Sequence, residues 1–255
     1  MAPILAGLAG NRQLQALAKV DNISAGCCLL CGARARRHCL CPDCLADLPW
    51  LPPACAGCAL PLATGLDTAC EESGDSEGAE RCPDCRLTPP PWSRAFALFR
   101  YEFPVDRLIA ALKYHGRLPL ATSFGHLLAD RLPPGIRPDV VLPVPVHPRR
   151  LRRRGCNQAA LLARVVARGQ RCDIDVSSLR RRRDTAMQKS LDPQARRDNL
   201  ANAFAWCGPS LAGRHVLLVD DVMTTGATLA CLSLLLRTAG AGEISVLAVA
   251  RTLPP

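Results

Sequence analysis

The amino-acid sequence predicts an α/β domain built on a largely parallel sheet, preceded by a small cysteine-rich module that binds metal. From residue 95 onward, short apolar runs alternate with stretches of helical periodicity, which is typical of parallel strands connected by helices. Before that point, 11 of the 15 cysteines fall between Cys27 and Cys85. Charge divides in the same place, since residues 1–94 carry 8 basic and 10 acidic side chains and residues 95–255 carry 24 and 12. Two differently built pieces therefore share one chain.

The composition excludes two broad classes of protein. The chain has 255 residues, of which 49% are apolar, so it can bury a core and is not mainly disordered. No uninterrupted apolar run approaches the roughly 20 residues that a membrane span needs. Arg12 and Lys19 interrupt the apolar N-terminus, which also lacks the basic start of a secretory signal. We expect an amphipathic helix over residues 3–20 of an N-terminal segment 1–26, no membrane span and a cytoplasmic location.

Four Cys-x-x-Cys pairs lie in residues 27–87, and their order repeats. In each half of the module, one pair is followed by a Cys-Pro-Asp-Cys pair. A two-residue gap lets both thiolates of a pair face one ion, and two pairs complete the tetrahedral Cys₄ shell that suits Zn²⁺. In a reducing cytoplasm such clusters bind metal more often than they form disulfides. The repeat predicts two sequential structural zinc sites, formed by Cys28, Cys31, Cys41 and Cys44 and by Cys55, Cys58, Cys82 and Cys85.

Three alternatives to zinc fit the cysteines less well: disulfides, a redox-active Cys-x-x-Cys pair and an iron–sulfur cluster. Three cysteines of the module, Cys27, Cys39 and Cys70, stay outside the repeat, and Cys27 or Cys39 could replace a ligand of the first site. The cysteine-rich module covers residues 27–87, and each of its halves is so small that metal must supply much of its folding energy. The Pro-rich residues 88–94 are predicted to be an extended linker to the domain of residues 95–255.

The elements of the second domain follow from its apolar pattern. Apolar runs predict strands, and segments with apolar residues three and four apart predict helices. In chain order we expect a strand at 95–101, helices at 105–114 and 120–132, a strand at 140–144, a helix at 157–168, a strand at 215–219, a helix at 228–238 and a strand at 244–250.

The segment of residues 216–228 carries the clearest signature of a binding site. Four apolar residues run into Asp220 and Asp221, and a turn rich in hydroxyl groups then opens a helix. This position, at the carboxyl edge of a parallel sheet, is where α/β folds bind ligands. Small residues let backbone N–H groups approach a phosphate, and the helix N-terminus adds favourable potential. An ordinary capped turn is the alternative, but it would gain little from two adjacent carboxylates.

Two further segments could complete such a site. The strand at 140–145 leads into residues 146–158, where five arginines lie between Arg149 and Arg154. Alone, these arginines could be a solvated face or a nucleic-acid patch, but they are also suitable donors to pyrophosphate. The polar residues 183–191 lack the periodicity of a core element and lie between two strands.

Together these motifs resemble the ComF family, in which a double zinc ribbon precedes a domain of the type I phosphoribosyltransferase fold. The resemblance rests on the cysteine knuckles, Arg-Gly-x-Asn-Gln at 154–158, the 183–196 segment and Val-Asp-Asp-Val-x-Thr-Thr-Gly at 219–226. Residues 216–228 look like the phosphoribosyl-pyrophosphate (PRPP) motif of such enzymes, and residues 183–191 resemble their flexible hood. One departure is Cys156, which stands where the motif has Phe.

The resemblance implies a role for each candidate site residue. Asp220 and Asp221 would hold the ribose hydroxyls and act in catalysis. The 5′-phosphate would be bound by Thr224, Thr225, Gly226, Ala227 and Thr228. The pyrophosphate loop would comprise Val146, His147, Arg149 and Arg150. The hood and accessory residues would be Lys113, Tyr114, Arg154, Asn157, Gln158, Arg183, Thr185 and Gln188.

The function that this resemblance implies is the binding of PRPP with Mg²⁺ and the transfer or cleavage of its phosphoribosyl group. Pyrophosphate would leave, and the acceptor is not identified by any residue. The family is associated with DNA uptake and natural transformation, which makes single-stranded DNA and DNA-uptake proteins further candidate partners. The alternative is a non-catalytic accessory that senses PRPP or grips single-stranded DNA with the arginines at 149–154 and 180–183.

Overall fold

The computed structural model describes residues 26–35, 38–62, 80–133, 135–183 and 203–254. The helices are α1 (Pro42–Ala46), α2 (Pro83–Leu87), α3 (Val105–Tyr114), α4 (Leu118–Asp130), α5 (Pro148–Arg154), α6 (Gln158–Gln170) and α7 (Ala227–Thr238). The strands are β1 (Arg94–Arg100), β2 (Val140–Pro143), β3 (Asp173–Ile174), β4 (Leu179–Arg181), β5 (Phe204–Trp206), β6 (His215–Met223) and β7 (Glu243–Arg251). The helix predicted at 3–20 lies outside the described residues, and so do Cys70, Thr185 and Gln188.

A five-stranded parallel sheet in the order β1-β7-β6-β2-β3 forms the centre of the second domain, and β4 pairs with β5 in a separate antiparallel ribbon. The sheet confirms the predicted α/β class. Successive residues of its central strands face opposite sides: Leu217 and Val219 lie in one core, Val216 and Leu218 in the other. Helices α3, α4 and α6 cover the first side, and α7 covers the second. Both faces are buried, which is why the middle of these strands is mostly apolar.

The observed elements differ from the predicted ones in two places that matter for the site. The strand predicted at 215–219 continues to Met223, because β7 pairs with it as far as Met223 and Arg251. The arginine-rich stretch predicted as a loop contains helix α5. Pro148 occupies its first turn, and Gly155, at φ +77°, ends it in a left-handed conformation that favours glycine.

The cysteine-rich module packs directly on the free edge of β1. The Leu51 N–H donates to the Leu98 carbonyl at 2.8 Å, and the Arg100 N–H donates to the Pro49 carbonyl at 2.8 Å. Between these bonds, the Trp50 ring lies 4.4 Å from the ring of Phe99, centroid to centroid. The module therefore covers an edge that would otherwise expose unpaired backbone groups.

The first half of the module shares its apolar core with the second domain. Cys28, Leu40 and Leu48 are buried in the cluster that contains Phe124 of α4. This sharing agrees with the small size of the module, which cannot bury a sufficient core alone. Among the described residues, no helix is both long enough and apolar enough to cross a bilayer.

Helices α4 and α6 approach each other closely at Gly125. A Cβ atom at this position would lie 2.5 Å from the Val165 Cβ, so Gly125→Ala should lower the free energy of unfolding by about 1–3 kcal/mol through overpacking. Urea unfolding measures the change. Adding Val165→Gly removes the Cβ that would clash together with its two methyl groups, so the double variant should lose less stability than the two single losses combined. Additive losses would contradict this account of the helix packing.

Candidate active site

The carboxyl end of β6 and the turn that follows it form the centre of the candidate site. Asp220 and Asp221 are the sixth and seventh residues of this strand, and both are partly buried. The chain then turns through the exposed Thr224 and Thr225 to Gly226, whose φ is +78°. Helix α7 begins directly after this glycine, so its N-terminal N–H groups open toward the turn. The predicted PRPP motif is thus a strand, a tight turn and a helix N-terminus in direct succession.

Lys113 of α3 brings a positive charge to the carboxylates. Its Nζ lies 2.7 Å from the Asp221 Oδ1, and the two side chains are only 19% and 13% exposed. The Asp221 N–H donates to the Asp220 Oδ1 at 2.8 Å. The resemblance gave Lys113 only an accessory role, whereas the structure places it in contact with the central carboxylate pair.

The two carboxylates do not share the same electrostatic environment. Burial raises the pKa of Asp220, the Asp221 charge raises it further, and the Asp221 N–H, Lys113 and Arg181 offset part of the effect, which leaves a pKa of about 8. Crowded carboxylates of this kind are found at functional sites more often than in stabilising cores.

Arg181 is a residue that the sequence analysis placed only in a nucleic-acid patch. It lies on β4, and its charge lowers the pKa of Asp220. Next to it, the Arg182 N–H donates to the Ala203 carbonyl at 2.7 Å, which closes the base of the predicted hood. The hood role of the intervening residues stays a prediction, and Arg183 at their described end is exposed.

The predicted pyrophosphate segment leaves the sheet at the same edge as the carboxylates, because β2 pairs in parallel with β6 up to Pro143 and Val219. Val146 and His147 link β2 to α5. The His147 Nδ1 accepts from the Arg149 N–H at 3.2 Å and so caps the helix. The prediction of a loop over 146–150 is wrong from Pro148 onward, because proline is favoured in a first helical turn. Arg149 and Arg150 therefore sit on a helix, and their pyrophosphate role stays a prediction.

The remaining accessory residues form two local contacts. The Arg154 Nη2 donates to the Tyr114 hydroxyl at 3.2 Å, and the guanidinium lies 5.1 Å from the centroid of the same ring. Asn157 caps α6 and donates to the Val144 carbonyl at 3.1 Å, which ties the two ends of the arginine segment together. Gln158 is buried and donates to the Cys156 Sγ at 3.5 Å. These contacts position the segment, while ligand binding by these residues stays a prediction.

The turn at 224–226 rests on two residues that sequence analysis missed. Arg251, at the end of β7, donates to the carbonyls of Met223, at 3.1 Å, and Thr224. The ring of Trp92 lies under Gly226, where an added Cβ would approach it to 3.3 Å. In the sequence, Arg251 is marked only as a charge that follows the apolar run of β7, and Trp92 only as an aromatic residue at the end of a proline run.

The eight repeat cysteines form two clusters that could each hold zinc. Within each cluster all four Sγ atoms lie within 4.8 Å of one another, and the ligand sets are the two predicted from the sequence. The Sγ atoms of Cys31 and Cys41 are 3.5 Å apart, and those of Cys58 and Cys82 are 3.7 Å apart. A tetrahedral shell with Zn–S bonds of roughly 2.3 Å separates its sulfurs by about 3.8 Å, so the spacing fits the ion.

The leftover cysteines and the backbone around the clusters agree with metal binding. Cys39 lies outside both clusters, with its Sγ accepting from the Ser123 hydroxyl at 3.1 Å. The backbone N–H groups of Cys82 and Gly57 donate to the Cys55 Sγ at 3.2 Å and 3.3 Å, as they would to a metal-bound thiolate. A thiolate is the form that binds Zn²⁺. No disulfide joins any two cysteines in the described part of the chain.

Comparisons with known proteins agree with this geometry. The family model described as "Phosphoribosyl transferase domain" matches residues 128–252, which span β2 to β7 and include Asp220, Asp221 and the turn at 224–226. The fold and the site therefore define a protein that carries a phosphoribosyltransferase domain.

The relatives narrow this class to one family. "DNA utilization protein YhgH" of Escherichia coli O157:H7 is 35% identical over 225 residues, covering 80% of this chain and 99% of the relative. "Competence protein F" of Haemophilus influenzae is 35% identical over 185 residues, covering 68% and 79%. The chain belongs to the ComF family, as its motifs predict.

A solved structure of glutamine PRPP amidotransferase from B. subtilis, complexed with ADP and GMP, is also similar to part of the chain. It is 22% identical, covers 50% of this chain and 25% of that one, and superposes with a TM-score of 0.37.

Because Asp220 is buried next to the Asp221 carboxylate, we predict that the free energy of unfolding depends on pH. Because its pKa is higher in the folded chain than the ordinary 3.8, its stabilising contribution is complete below about pH 4 and is lost as pH rises toward 8. Asp220→Asn removes this loss. The difference in free energy of unfolding between the variant and the wild type should therefore be on the order of 2 kcal/mol larger, in favour of the variant, at pH 8 than at pH 5. Urea unfolding at both pH values measures the difference. Asp173→Asn, which alters an exposed carboxylate, is the control, and parallel profiles of wild type and Asp220→Asn would refute the assignment.

Proposed function

We propose that this protein binds PRPP and transfers or cleaves its phosphoribosyl group, with pyrophosphate as the leaving group. The observation that carries the proposal is the direct succession of Asp220, Asp221, the positive-φ turn at Gly226 and the N-terminus of α7. Carboxylates suit the vicinal hydroxyls of a ribose. A turn of small residues before a helix suits the phosphate on the same sugar.

Each group has a defined task in the proposed reaction. The bond from the anomeric carbon to the pyrophosphate oxygen breaks, its electron pair leaves with pyrophosphate, and a lone pair of the acceptor or of water forms the new bond. Positive charge develops on the sugar, and the negative charge of the Asp220–Asp221 pair stabilises it. His147, Arg149 and Arg150 are the candidate donors to the departing pyrophosphate.

The site residues fit Mg²⁺ that is held mainly by the substrate. Asp221 is already paired with Lys113, and no group of three carboxylates surrounds a common point in the described residues. Such a site suits an ion that keeps phosphate and water ligands rather than a cage made of protein. Bound in this way, Mg²⁺ would supply neutralisation of the pyrophosphate charge.

The biological setting that we propose is DNA uptake or the use of DNA. Two relatives bear the names "DNA utilization protein YhgH" and "Competence protein F", and the two cysteine clusters are proposed to bind structural zinc as they would in a double ribbon. The acceptor is then a nucleobase, a nucleic-acid end or water, and the described residues include no evident general base that would choose among them.

A second candidate function is supported by the surface of α5. Five of its seven residues are arginine, and Arg149, Arg152 and Arg153 are exposed. The Tyr114 ring beside Arg154 is 60% exposed. Positive charge next to an exposed ring suits a single strand, whose phosphates pair with arginine and whose bases stack. On this hypothesis the protein is a non-catalytic accessory that binds single-stranded DNA or senses PRPP.

The carboxylate pair provides the direct test of PRPP binding. Asp220→Asn combined with Asp221→Asn should abolish PRPP binding in calorimetry while leaving the circular dichroism spectrum unchanged, because both replacements keep the side-chain volume. Asp173→Asn at the other end of the sheet is the matched control and should bind normally. Wild-type affinity in the double variant would refute the site assignment.

Turnover separates the enzyme from the accessory. Pyrophosphate release from PRPP, screened with nucleobases and with short oligonucleotides, should exceed the background rate for at least one acceptor. If PRPP binds without turnover, the sensor hypothesis holds, and if neither occurs, the accessory that binds only DNA remains.

The α5 surface has its own test. Arg152→Ala with Arg153→Ala should weaken oligonucleotide binding and flatten its dependence on log[salt] by about 0.7 for each phosphate that arginine no longer neutralises. PRPP affinity should stay unchanged, because the proposed donors to pyrophosphate are His147, Arg149 and Arg150 and include neither of these residues. Unaltered oligonucleotide binding would exclude α5 as the nucleic-acid surface.

A further inference from the structure

Arg251 joins the second cysteine cluster to the turn at 224–226. Its guanidinium is buried, with the residue only 6% exposed. The Nε donates to the Cys58 carbonyl at 2.8 Å, and the Nη1 donates to the Met223 carbonyl at 3.1 Å and to the Thr224 carbonyl. One planar side chain thus bonds a zinc knuckle at one end and the turn at the other.

Trp92 makes a second, independent connection between the same two places. Its Nε1 donates to the Gly57 carbonyl at 2.7 Å, and its ring packs under Gly226. Gly57 and Cys58 are adjacent residues of the Cys55–Cys58 knuckle. An added Cβ at Gly57 would lie 2.8 Å from the Cys85 Sγ, so this knuckle is folded tightly around its own cluster.

Charge makes the connection sensitive to metal. Four thiolates (−4) and one Zn²⁺ (+2) leave a loaded cluster with a net charge of −2. The Arg251 guanidinium is buried beside this cluster and bonded to the Cys58 carbonyl. A buried guanidinium is costly without a negative charge near it, so loss of the metal-loaded cluster would leave Arg251 less well supported.

In the part of the chain that the structure describes, the first cluster makes no such connection to the turn. Among the described residues, its module half contacts α4 through Cys39 and Ser123 and packs in the core on the opposite side of the sheet from Trp92. Arg251 and Trp92 both bond to the second knuckle instead. The two clusters should therefore differ in their effect on the turn.

We propose that the second zinc cluster, acting through Arg251 and Trp92, holds the turn at 224–226 in the shape that binds phosphate, so that the metal state of this cluster controls affinity for PRPP. Arg251 is a positioning residue, since it bonds the backbone of the turn from below. This regulation rests on the proposed function of the turn as the 5′-phosphate site. The support of the turn, meaning that Arg251 and Trp92 hold residues 224–226 in place, can be measured without any ligand.

Arg251→Lys tests the bridge while it keeps the charge. The one nitrogen of an ammonium cannot occupy the positions of both Nε and Nη1, which bond the Cys58 carbonyl and the two turn carbonyls, so hydrogen exchange of the amides at 224–228 should quicken. PRPP affinity should fall by about tenfold or more, with two zinc ions per chain retained. The matched control is Arg237→Lys, because Arg237 donates to the carbonyls of Ala241 and Gly242 at the opposite end of the sheet, and it should leave both measurements unchanged.

Loss of one ligand from each cluster tests the role of metal. Cys82→Ser should release zinc from the second cluster and quicken exchange at 224–228, whereas Cys44→Ser should release zinc from the first cluster without changing exchange there. If Cys82→Ser exchanges rapidly throughout the chain, it has unfolded, and Arg251→Lys decides the question.

The readouts separate the two proposals. If wild-type protein fails to bind PRPP but Arg251→Lys and Cys82→Ser loosen the turn, the support stands and the proposed function fails. Unchanged exchange at 224–228 in Arg251→Lys, with the zinc content and fold intact, would overturn the support. Equal loosening by Cys44→Ser and Cys82→Ser would overturn the special role of the second cluster.

Discussion

The parallel pairing of β6 with β7 is the interaction on which the other features of the site depend. It continues to the last residues of both strands, Met223 and Arg251, and so carries three charged side chains to one edge of the sheet. The carboxylates arrive on β6 and the guanidinium arrives on β7. Without the last pairs of this ladder, the turn would lose the backbone that fixes its start and the side chain that bonds it from below.

The charged side chains at this edge are at least partly buried, so each of them needs a compensating partner. Asp221 has Lys113 at 2.7 Å, whereas Asp220 keeps a raised pKa because burial and its neighbour outweigh the cations nearby. On the other side of the turn, the Arg251 guanidinium donates to the carbonyls of Met223 and Thr224 and to the carbonyl of Cys58 in the second cluster. Each buried charge thus has a partner on a different element, which couples the helix α3, the sheet and the ribbon. The stability of the fold therefore depends on pH at Asp220, whose carboxyl is the one with the raised pKa.

Much of this architecture is predictable from local sequence, because the signals are local. Helix α3 appears with the predicted bounds, and the zinc ligand sets follow from two-residue gaps that one knuckle satisfies by itself. The errors arise where distant residues decide. The extension of β6 depends on β7, and the roles of Trp92 and Arg251 depend on carbonyl groups of Gly57 and Cys58, which no spacing rule connects to them. Helix α5 was missed because five arginines carry no apolar periodicity, although Pro148 and Gly155 mark its ends.

The bond from Arg251 to the Cys58 carbonyl joins residues that are 193 positions apart, and this separation affects how the protein folds during its synthesis. During synthesis the cysteine knuckles leave the ribosome long before β7, so they can take up metal while the surface that will hold them does not yet exist. Contacts of such long range form late and slowly in folding. During most of translation, the cysteine-rich module could therefore bind metal without yet being packed against the second domain. It would become part of the binding site only when the last strand of the sheet is in place.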